Sequence, residues 1–183
     1  GQVCFQAQGT NAAAWNNLGF MRARLGDVVF SDGEPLPALV QRLLIERKLT
    51  LAAAESCTGG LLGETLTAVP GSSAAFLLSA VTYADAMKEQ VLGVPHEILE
   101  QHGAVSGECA RAMAEGARRI SNAALAISIT GIAGPDGGSF EKPVGLVFLA
   151  LAHPGGCQVT TRKFRGRQRE TIRALAAFTA SMV

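Results

Sequence analysis

The chain has 183 residues, which is the size of one ordinary domain. Hydrophobic residues make up 48% of the sequence and charged residues 17%, so the chain can bury a sizeable core and does not have the composition of a disordered tail. The formal net charge of +1 argues against a broad basic surface for nucleic acid or for an anionic membrane, and we expect neither partner.

The cysteines and the apolar runs indicate a cytoplasmic protein. Cys4, Cys57, Cys109 and Cys157 are scattered, without the paired spacing of a zinc site or the density of a disulfide-bonded secreted domain. We therefore expect free thiols in a reducing compartment. The N-terminus lacks the basic and apolar stretches of a signal peptide, and apolar runs such as 123–129 are too short to span a bilayer.

Residues 1–33 differ from the rest of the sequence. Alternating apolar residues near the start predict one exposed strand, and residues 11–24 predict a short helix with a weak apolar pattern. The turn-rich segment 31–35 is the predicted boundary, which divides the chain into an N-terminal extension, 1–33, and a main domain, 34–183. An extension this short cannot form its own core, so we expect it to pack on the main domain or to belong to a larger parent protein.

Helices and strands alternate along the main domain, which is typical of an α/β fold. Apolar residues at helical spacing predict helices, whereas short apolar runs predict buried strands. In chain order, the predicted elements are helix 36–48, strand 49–54, helix 58–68, strand 75–82, helix 84–92, a helical turn at 95–101, helix 106–120 capped by Ser106, strand 123–129, a hairpin of 144–152 and 157–164, and a terminal helix around 172–182. We therefore predict a three-layer α/β/α sandwich with a mixed, mostly parallel sheet, because the closing hairpin argues against a purely parallel one.

Three apolar strands of this pattern end in a hydroxyl beside a turn. The first ends at Ser56, the second at Tyr83 and the third at Thr130. If these strands run parallel, the three hydroxyls reach one edge of the sheet, and open α/β sheets bind ligands outside the carboxyl ends of their strands. The sequence thus predicts a functional site at that edge.

Ser56 has the setting that a nucleophile needs. It follows a strand and enters a helix through residues 57–60, so backbone N–H groups at the helix start lie close to its oxygen. Such groups can stabilise the oxyanion that forms when a hydroxyl attacks a carbonyl. The glycines of this turn let a substrate approach the backbone closely. The alternative is that Ser56 or Thr58 only caps the helix.

A serine nucleophile needs a base, and the sequence offers two kinds. The three histidines, His96, His102 and His153, have no acidic partner at motif spacing. The other kind is a lysine that burial keeps neutral, and Lys88 follows Tyr83 by five residues. An ordinary exposed helix lysine is the alternative interpretation of Lys88.

The glycine-rich segment 130–138 is a second candidate site. Its closely spaced glycines free backbone N–H groups to point at an anion such as phosphate, and Lys142 follows closely. The segment lacks the Gly-Lys-Ser/Thr ending of a P-loop and the GxGxxG pattern, so a long turn is the alternative. Residues 71–73 form a weaker donor cluster, and the three arginines within 165–169 either are solvated or contribute to a pocket for an anion.

Taken together, the motifs resemble a known family. They are ESCTGG at 55–60, PGSS at 70–73, VTY at 81–83 with Lys88, QHGAVS at 101–106, GIAGPDGG at 131–138 and KPVG at 142–145. In this order they resemble the C-terminal domain of the competence/damage-inducible protein CinA, which is similar to stand-alone bacterial nicotinamide-mononucleotide deamidases. The resemblance covers residues 36–183 and is very specific. Residues 24–30 resemble the linker that precedes this domain in full-length CinA, so the chain looks like a C-terminal piece of the two-domain protein.

The resemblance implies an activity and a site. The activity is hydrolysis of the carboxamide of nicotinamide mononucleotide to nicotinic acid mononucleotide and ammonia, without a metal or an organic cofactor. By position, Ser56 would be the nucleophile, Lys88 its base, and Tyr83 a proton relay or an orienting hydroxyl. The substrate-binding residues so implied are Thr58 and Gly59 at the oxyanion hole with Gly60 beside them, and Thr130, Gly131, Ile132, Ala133, Gly134, Gly71, Ser72, Ser73 and Arg167 around ribose and phosphate. The family also suggests a homo-oligomer, a dimer or a larger assembly.

One residue departs from the family pattern. The family typically has Tyr-Ser-Asn before the lysine, whereas this chain has Tyr83-Ala84-Asp85. An acid beside Lys88 would favour the charged form of that lysine, which is the wrong direction for a base. Two rival hypotheses therefore stay open. One is a catalytically weak nucleotide-binding module of a two-domain protein, and the other is a cysteine hydrolase that uses Cys57.

Overall fold

The computed structural model of the chain describes residues 34–182. The predicted strand near the N-terminus and the predicted helix at 11–24 lie outside the described residues, as does the rest of the extension. None of the helices within 34–182 combines the length and the apolar character needed to cross a membrane.

The described part of the chain alternates between helices and strands. The elements in chain order are α1 (Leu36–Glu46), β1 (Leu51–Glu55), α2 (Leu61–Thr67), a 3-10 turn (Ser72–Ala74), β2 (Phe76–Val81), α3 (Asp85–Leu92), α4 (His96–His102), α5 (Gly107–Ser121), β3 (Leu125–Gly131), β4 (Leu146–His153), β5 (Gly156–Lys163) and α6 (Arg169–Ala180). These bounds agree with the predicted elements to within one helical turn. The largest difference is the start of α2, which begins later than predicted because Gly59 and Gly60 have φ of +60° and +95°, outside the helical region.

The five strands form one mixed sheet in the order β2-β1-β3-β4-β5. β1 pairs in parallel with β2 and with β3, whereas β4 is antiparallel to both β3 and β5. Four of the five strands therefore run in one direction, and the closing hairpin supplies the antiparallel pairs. The predicted mixed sheet is confirmed.

Helices cover both faces of the sheet, and β1 shows how. All five of its residues are buried, and successive side chains of a strand point to opposite faces. Ala53 lies in the core beneath α1, α2 and α6, whereas Ala52 and Ala54 lie in the core beneath α3, α4 and α5. The three-layer α/β/α sandwich is thus confirmed, with small residues at the centre that let the helices approach closely.

Helix α5 is the main support of the second layer. Its N-cap, Ser106, accepts a hydrogen bond from the amide of Cys109 at 3.1 Å, as the sequence predicts. The buried face is rich in alanine and glycine. At Gly116 a side-chain carbon would collide with the backbone carbonyl of Leu92 at the end of α3. The absence of a side chain there sets how closely α5 and α3 approach.

Candidate active site

Ser56 lies directly after β1, at the edge of the sheet where the three parallel strands end. Its N–H donates to the carbonyl of Ile129 in β3, and the N–H of Thr82 donates to the carbonyl of Glu55, both at 2.9 Å. Continuing the strand register by one residue places Ser56 between Thr130 and Thr82. The residues that follow the three strands therefore meet at one edge, as the sequence predicts, with Thr82 rather than Tyr83 level with Ser56.

Side chains along β1 alternate between the two faces of the sheet, and this alternation determines the face on which Ser56 lies. Ala54 lies in the core beneath α3–α5, whereas Glu55 points into the opposite layer, where α2 begins. The next residue returns to the first face, so Ser56 faces the layer of α3, α4 and α5. Ser56 is 9% exposed, which leaves it close to the surface at that edge.

The side chain of Lys88 is buried beneath the same layer of helices. It belongs to α3 and is only 1% exposed. Its ammonium nitrogen donates to the backbone carbonyl of Tyr83 at 3.2 Å and to Oδ1 of Asp85 at 3.1 Å. The interpretation of Lys88 as an ordinary exposed lysine is therefore wrong. Asp85, the residue that departs from the family pattern, contacts Lys88 directly.

A buried carboxylate holds the turn that follows β1. Glu55 is fully buried, and its two oxygens accept the amides of Gly60 at 3.0 Å, Leu62 at 3.0 Å and Gly63 at 2.8 Å, and the hydroxyl of Ser79 at 3.0 Å. A carboxylate at a helix N-terminus satisfies free amides and interacts favourably with the helix dipole. The sequence analysis did not single out this residue, because its position before the turn differs from that of an ordinary N-cap.

This arrangement narrows the choice of oxyanion donors. The amide of Gly60 is bound to Glu55, and the amide of Gly59 donates to the carbonyl of Ser56 at 3.0 Å. Within residues 34–182, the amides of Cys57 and Thr58 have no oxygen acceptor. These two amides, directly after Ser56, are the ones free to bind an oxyanion.

Two arginines of α6 reach the same edge from the other layer. Arg169 donates to the hydroxyl of Tyr83 at 2.9 Å and to the carbonyl of Gly134 at 2.6 Å. Arg173 donates to the carbonyl of Thr58 at 2.7 Å. The two arginines are four residues apart on one helix and therefore share a face. They bring two fixed positive charges to the edge that carries Ser56.

The glycine-rich loop after β3 is tied to its surroundings. The hydroxyl of Thr130 donates to the carbonyl of Ala104 at 2.7 Å, and the ammonium of Lys142 donates to the carbonyl of His102 at 2.6 Å. Lys142 therefore binds a helix end. Thr130, Ala133 and Gly134 are buried, Gly131 and Ile132 are half-buried, and residues 135–141 are exposed. The inner part of the loop therefore packs against the fold beside the edge that carries Ser56.

Comparison with known proteins identifies the family. The profile of the CinA C-terminal domain matches residues 33–182. The chain belongs to the CinA C-terminal domain family. A CinA-like protein of Geobacter sulfurreducens is 52% identical over 164 residues, which is 89% of this chain and 40% of that protein. A CinA-like protein of Anaeromyxobacter is 54% identical over 173 residues, which is 94% of this chain and 42% of that protein. The chain thus spans less than half the length of these curated relatives.

Solved structures agree with this family assignment. The competence/damage inducible protein CihA from Agrobacterium tumefaciens superposes with a TM-score of 0.76 at 40% identity, over 81% of this chain and 93% of that chain. The competence damage-inducible protein A from Klebsiella pneumoniae superposes with a TM-score of 0.77 at 38% identity, over 80% and 91%. The resemblance carried by the sequence motifs is confirmed.

The CinA domain does not bring every implied residue to Ser56. Residues 71–73 precede β2, and the nearby Ala75 accepts a hydrogen bond from the amide of Leu51 at 2.8 Å, at the start of β1. Ser56 follows the end of β1. Within one chain, residues 71–73 (Gly71, Ser72 and Ser73) therefore lie at the opposite edge of the sheet.

Arg169, rather than the predicted Arg167, contacts residues at the edge that carries Ser56. Arg167 is exposed, and within residues 34–182 it makes no hydrogen bond, whereas Arg169 contacts two groups of the site. The signal that distinguishes them is helical spacing, because Arg169 and Arg173 lie on one face of α6 and Arg167 precedes the helix.

Cys57 stands beside Ser56 without the properties of a reactive thiol. It is buried in the core beneath α1, α2 and α6. Burial raises the pKa of its thiol to about 11, against the opposing effect of the Arg173 charge. A thiol with that pKa is almost fully protonated near pH 7, and the thiolate is the nucleophilic form. The structure therefore disfavours the cysteine-hydrolase hypothesis.

His96 and His153 are not placed to act as an alternative base. His96 is exposed and bonds to Glu89 at 2.9 Å, a hydrogen bond that raises the pKa of His96. His153 ends β4, next to the start of β3 and so at the edge opposite to Ser56. No group of three His, Cys, Asp or Glu side chains within residues 34–182 is placed to hold a metal ion.

Proposed function

We propose that this CinA domain is an amidohydrolase that converts nicotinamide mononucleotide to nicotinic acid mononucleotide and ammonia, with Ser56 as the nucleophile and Lys88 as its base. The observation that carries the proposal is the burial of Lys88, at 1% exposure, on the face of the sheet toward which Ser56 points. A buried lysine on the same face of the sheet as a hydroxyl beside free amides is typical of an active site. The substrate is inferred from the family resemblance.

The contacts of Lys88 suit a base. A neutral amine has two N–H donors and one lone pair. The carbonyl of Tyr83 and the carboxylate of Asp85 accept two N–H groups from Lys88. These contacts leave the remaining tetrahedral direction of the nitrogen for the lone pair, which can accept the proton of Ser56.

The proposed reaction has two halves. In the first, the Ser56 oxygen bonds to the carboxamide carbon, its proton moves to Lys88, and the amides of Cys57 and Thr58 bind the oxyanion. The C–N bond then breaks, and Lys88 returns the proton to the departing ammonia. In the second half, water attacks the Ser56 ester and Lys88 again takes the proton, which regenerates Ser56 and releases the acid.

The surroundings of the site suit an anionic nucleotide. Tyr83 accepts a hydrogen bond from Arg169, so its own O–H proton remains free to donate to substrate. We propose that Arg169 and Arg173 provide the positive charge for the phosphate, a role for which the sequence favoured Arg167. The inner part of the loop 130–134 would line the ribose.

The test is release of ammonia from nicotinamide mononucleotide by the purified protein. We expect turnover by the wild type and a loss of about 1,000-fold or more in the Ser56→Ala variant. Ser121→Ala is the matched control, since Ser121 ends α5 far from the site and bonds to its own helix. Ammonia release by Ser56→Ala at the wild-type rate would show that Ser56 is not the nucleophile.

A specific observation supports a second candidate function. Asp85 forms an ion pair with Lys88 at 3.1 Å, and a charged lysine is a poor base. On this account the domain is a catalytically weak nucleotide-binding module. Calorimetry that detects mononucleotide binding, together with no ammonia release, would favour it over the amidase.

We also propose that the domain assembles as a homo-oligomer in the cytoplasm. Four exposed apolar side chains lie along the edge strand β2 and along α3. They are Leu77, Val81, Met87 and Val91. Apolar patches of this kind mark contact surfaces. Light scattering after size-exclusion chromatography tests the assembly, and a monomer at assay concentration would contradict it.

A further inference from the structure

Unpaired buried hydroxyls cluster around Ser56. Of the residues that the structure describes, 34–182, three have a buried side-chain atom without a hydrogen-bond partner, namely Gln41 Oε1, Thr58 Oγ1 and Thr82 Oγ1. Two of these, Thr58 and Thr82, lie next to Ser56 in sequence or in register. A buried hydroxyl without a partner costs free energy, and such groups often mark functional sites.

Thr82 lies on the face of the sheet toward which Ser56 points. Ala80 lies in the core beneath α3–α5, and alternation returns Thr82 to that face, where it is 1% exposed. Neighbouring strands lie about 4.8 Å apart, so Thr82 stands beside Ser56 with its side chain on the same face. Thr130, the neighbour of Ser56 on the other side, already donates to a carbonyl.

Once Lys88 is protonated, it has three N–H donors but only two acceptors among the residues that the structure describes. An ammonium carries three N–H groups, and the carbonyl of Tyr83 and the carboxylate of Asp85 accept two of them. The carbonyl of Tyr83 belongs to the residue directly after Thr82. Lys88 and the unpaired hydroxyl of Thr82 therefore share a face and an edge of the sheet.

We propose that Thr82 is a positioning residue: the third N–H of Lys88, which carries the proton taken from Ser56, is shared with the hydroxyl oxygen of Thr82 until that proton passes to the departing ammonia. The proposal rests on the Ser56/Lys88 site of the proposed function and adds a residue to it. An interaction that forms only as the proton moves stabilises the transition state more than the ground state, so it raises the rate of the chemical step and leaves substrate binding unchanged.

The first measurement uses steady-state ammonia release and thermal unfolding. Thr82→Val keeps the shape of the side chain and removes the hydroxyl. We expect kcat to fall about tenfold with KM unchanged, and the melting temperature to stay level or rise, because an unpaired buried hydroxyl is gone. Thr82→Ser should restore kcat. The control Thr179→Val removes a buried hydroxyl that bonds to its own helix, and should leave kcat unchanged.

The second measurement does not depend on the amide substrate. A fluorophosphonate probe labels an activated serine: the Ser56 oxygen bonds to phosphorus, fluoride leaves, and the hydroxyl proton goes to Lys88. We expect Thr82→Val to lower the labelling rate about tenfold and Thr82→Ser to restore it.

The outcomes separate this proposal from the proposed function. Slower labelling in Thr82→Val with rescue in Thr82→Ser supports the role of Thr82 even if nicotinamide mononucleotide is not hydrolysed. Equal labelling of Ser56 in the wild type and in Thr82→Val overturns the role of Thr82 and leaves the proposed amidase standing. A wild-type Ser56 that the probe does not label contradicts both.

Discussion

At the scale of single residues, Asp85 decides how far Lys88 can act as a base. The carboxylate oxygen of Asp85 lies 3.1 Å from the side-chain nitrogen of Lys88. The side chain of Asp85 is 59% exposed, so solvent weakens its charge while its oxygen still orients the amine. An amide oxygen at the same position would keep the orientation without the charge.

We predict that Asp85→Asn increases ammonia release near neutral pH. The expected gain is modest, about threefold, because solvent already screens the exposed carboxylate. Steady-state rates between acidic and alkaline pH check this. A lower rate at every pH would indicate that the Asp85 charge itself is required.

Cys57 provides a prediction that follows from its burial. Because burial raises the pKa of its thiol to about 11, alkylation by iodoacetamide in the folded protein should be slow near pH 7. The rate should rise about tenfold per pH unit toward pH 11, as the thiolate fraction grows. Peptide mass analysis at a series of pH values measures this. Rapid, pH-independent alkylation of Cys57 near pH 7 would revive the cysteine-hydrolase hypothesis.

At the scale of elements, the strand–turn–helix unit around Ser56 depends on Glu55. Its carboxylate accepts three amides from the start of α2 and the hydroxyl of Ser79 in β2. This single side chain therefore joins β1, α2 and β2, and it sets the path of the turn. The same bonds occupy the amides of Gly60, Leu62 and Gly63, and the Gly59 amide donates to the carbonyl of Ser56, so Cys57 and Thr58 remain as donors for the proposed oxyanion hole.

We predict that Glu55→Gln lowers the free energy of unfolding by about 2–3 kcal/mol. The substitution replaces one acceptor oxygen with an N–H₂ group, which then faces backbone N–H donors and cannot bind them. Urea unfolding measures the change. Glu64→Gln is the matched control, since Glu64 lies exposed in the first turn of the same helix and should change the free energy little. Equal stability of the two variants would contradict the capping role.

Local patterns predicted most elements but not the contacts between them. The amphipathic face and the Ser106 cap of α5 are visible in sequence because they repeat over one helix. The choice of Arg169 over Arg167 depends on a contact with Tyr83, 86 residues away, which no local pattern contains. Residues 71–73 lie away from Ser56 within one chain, because a segment that precedes one parallel strand lies at the edge opposite to a segment that follows its neighbour.

At the scale of the whole molecule, the fold class follows from the alternation of elements, and the site follows from the parallel direction of β1, β2 and β3. Small residues set the distance between the layers, and the sequence pattern does not show which of them lie where two helices touch. Gly116 is the clearest case, since it lies against the backbone carbonyl of Leu92, where α5 crosses the end of α3.

We predict that Gly116→Ala destabilises the domain by about 1–3 kcal/mol, because the added carbon forces α5 away from α3. Gly107→Ala, in the first turn of the same helix, meets only ordinary side-chain contacts at 3.4 Å and beyond, and should be neutral or slightly stabilising. Thermal unfolding compares the two variants. A Gly116→Ala domain as stable as the wild type would show that the two helices can separate without loss.

The most direct test of the central claim is to trap the covalent intermediate. Nicotinamide mononucleotide is mixed with the protein, the reaction is stopped with acid within the first turnover, and the peptides are examined by mass spectrometry. We predict an ester on Ser56 with the mass of the substrate less ammonia, and none in Ser56→Ala. Turnover of the substrate without an adduct on Ser56, or with an adduct on Cys57, would contradict the assignment of Ser56 as the nucleophile.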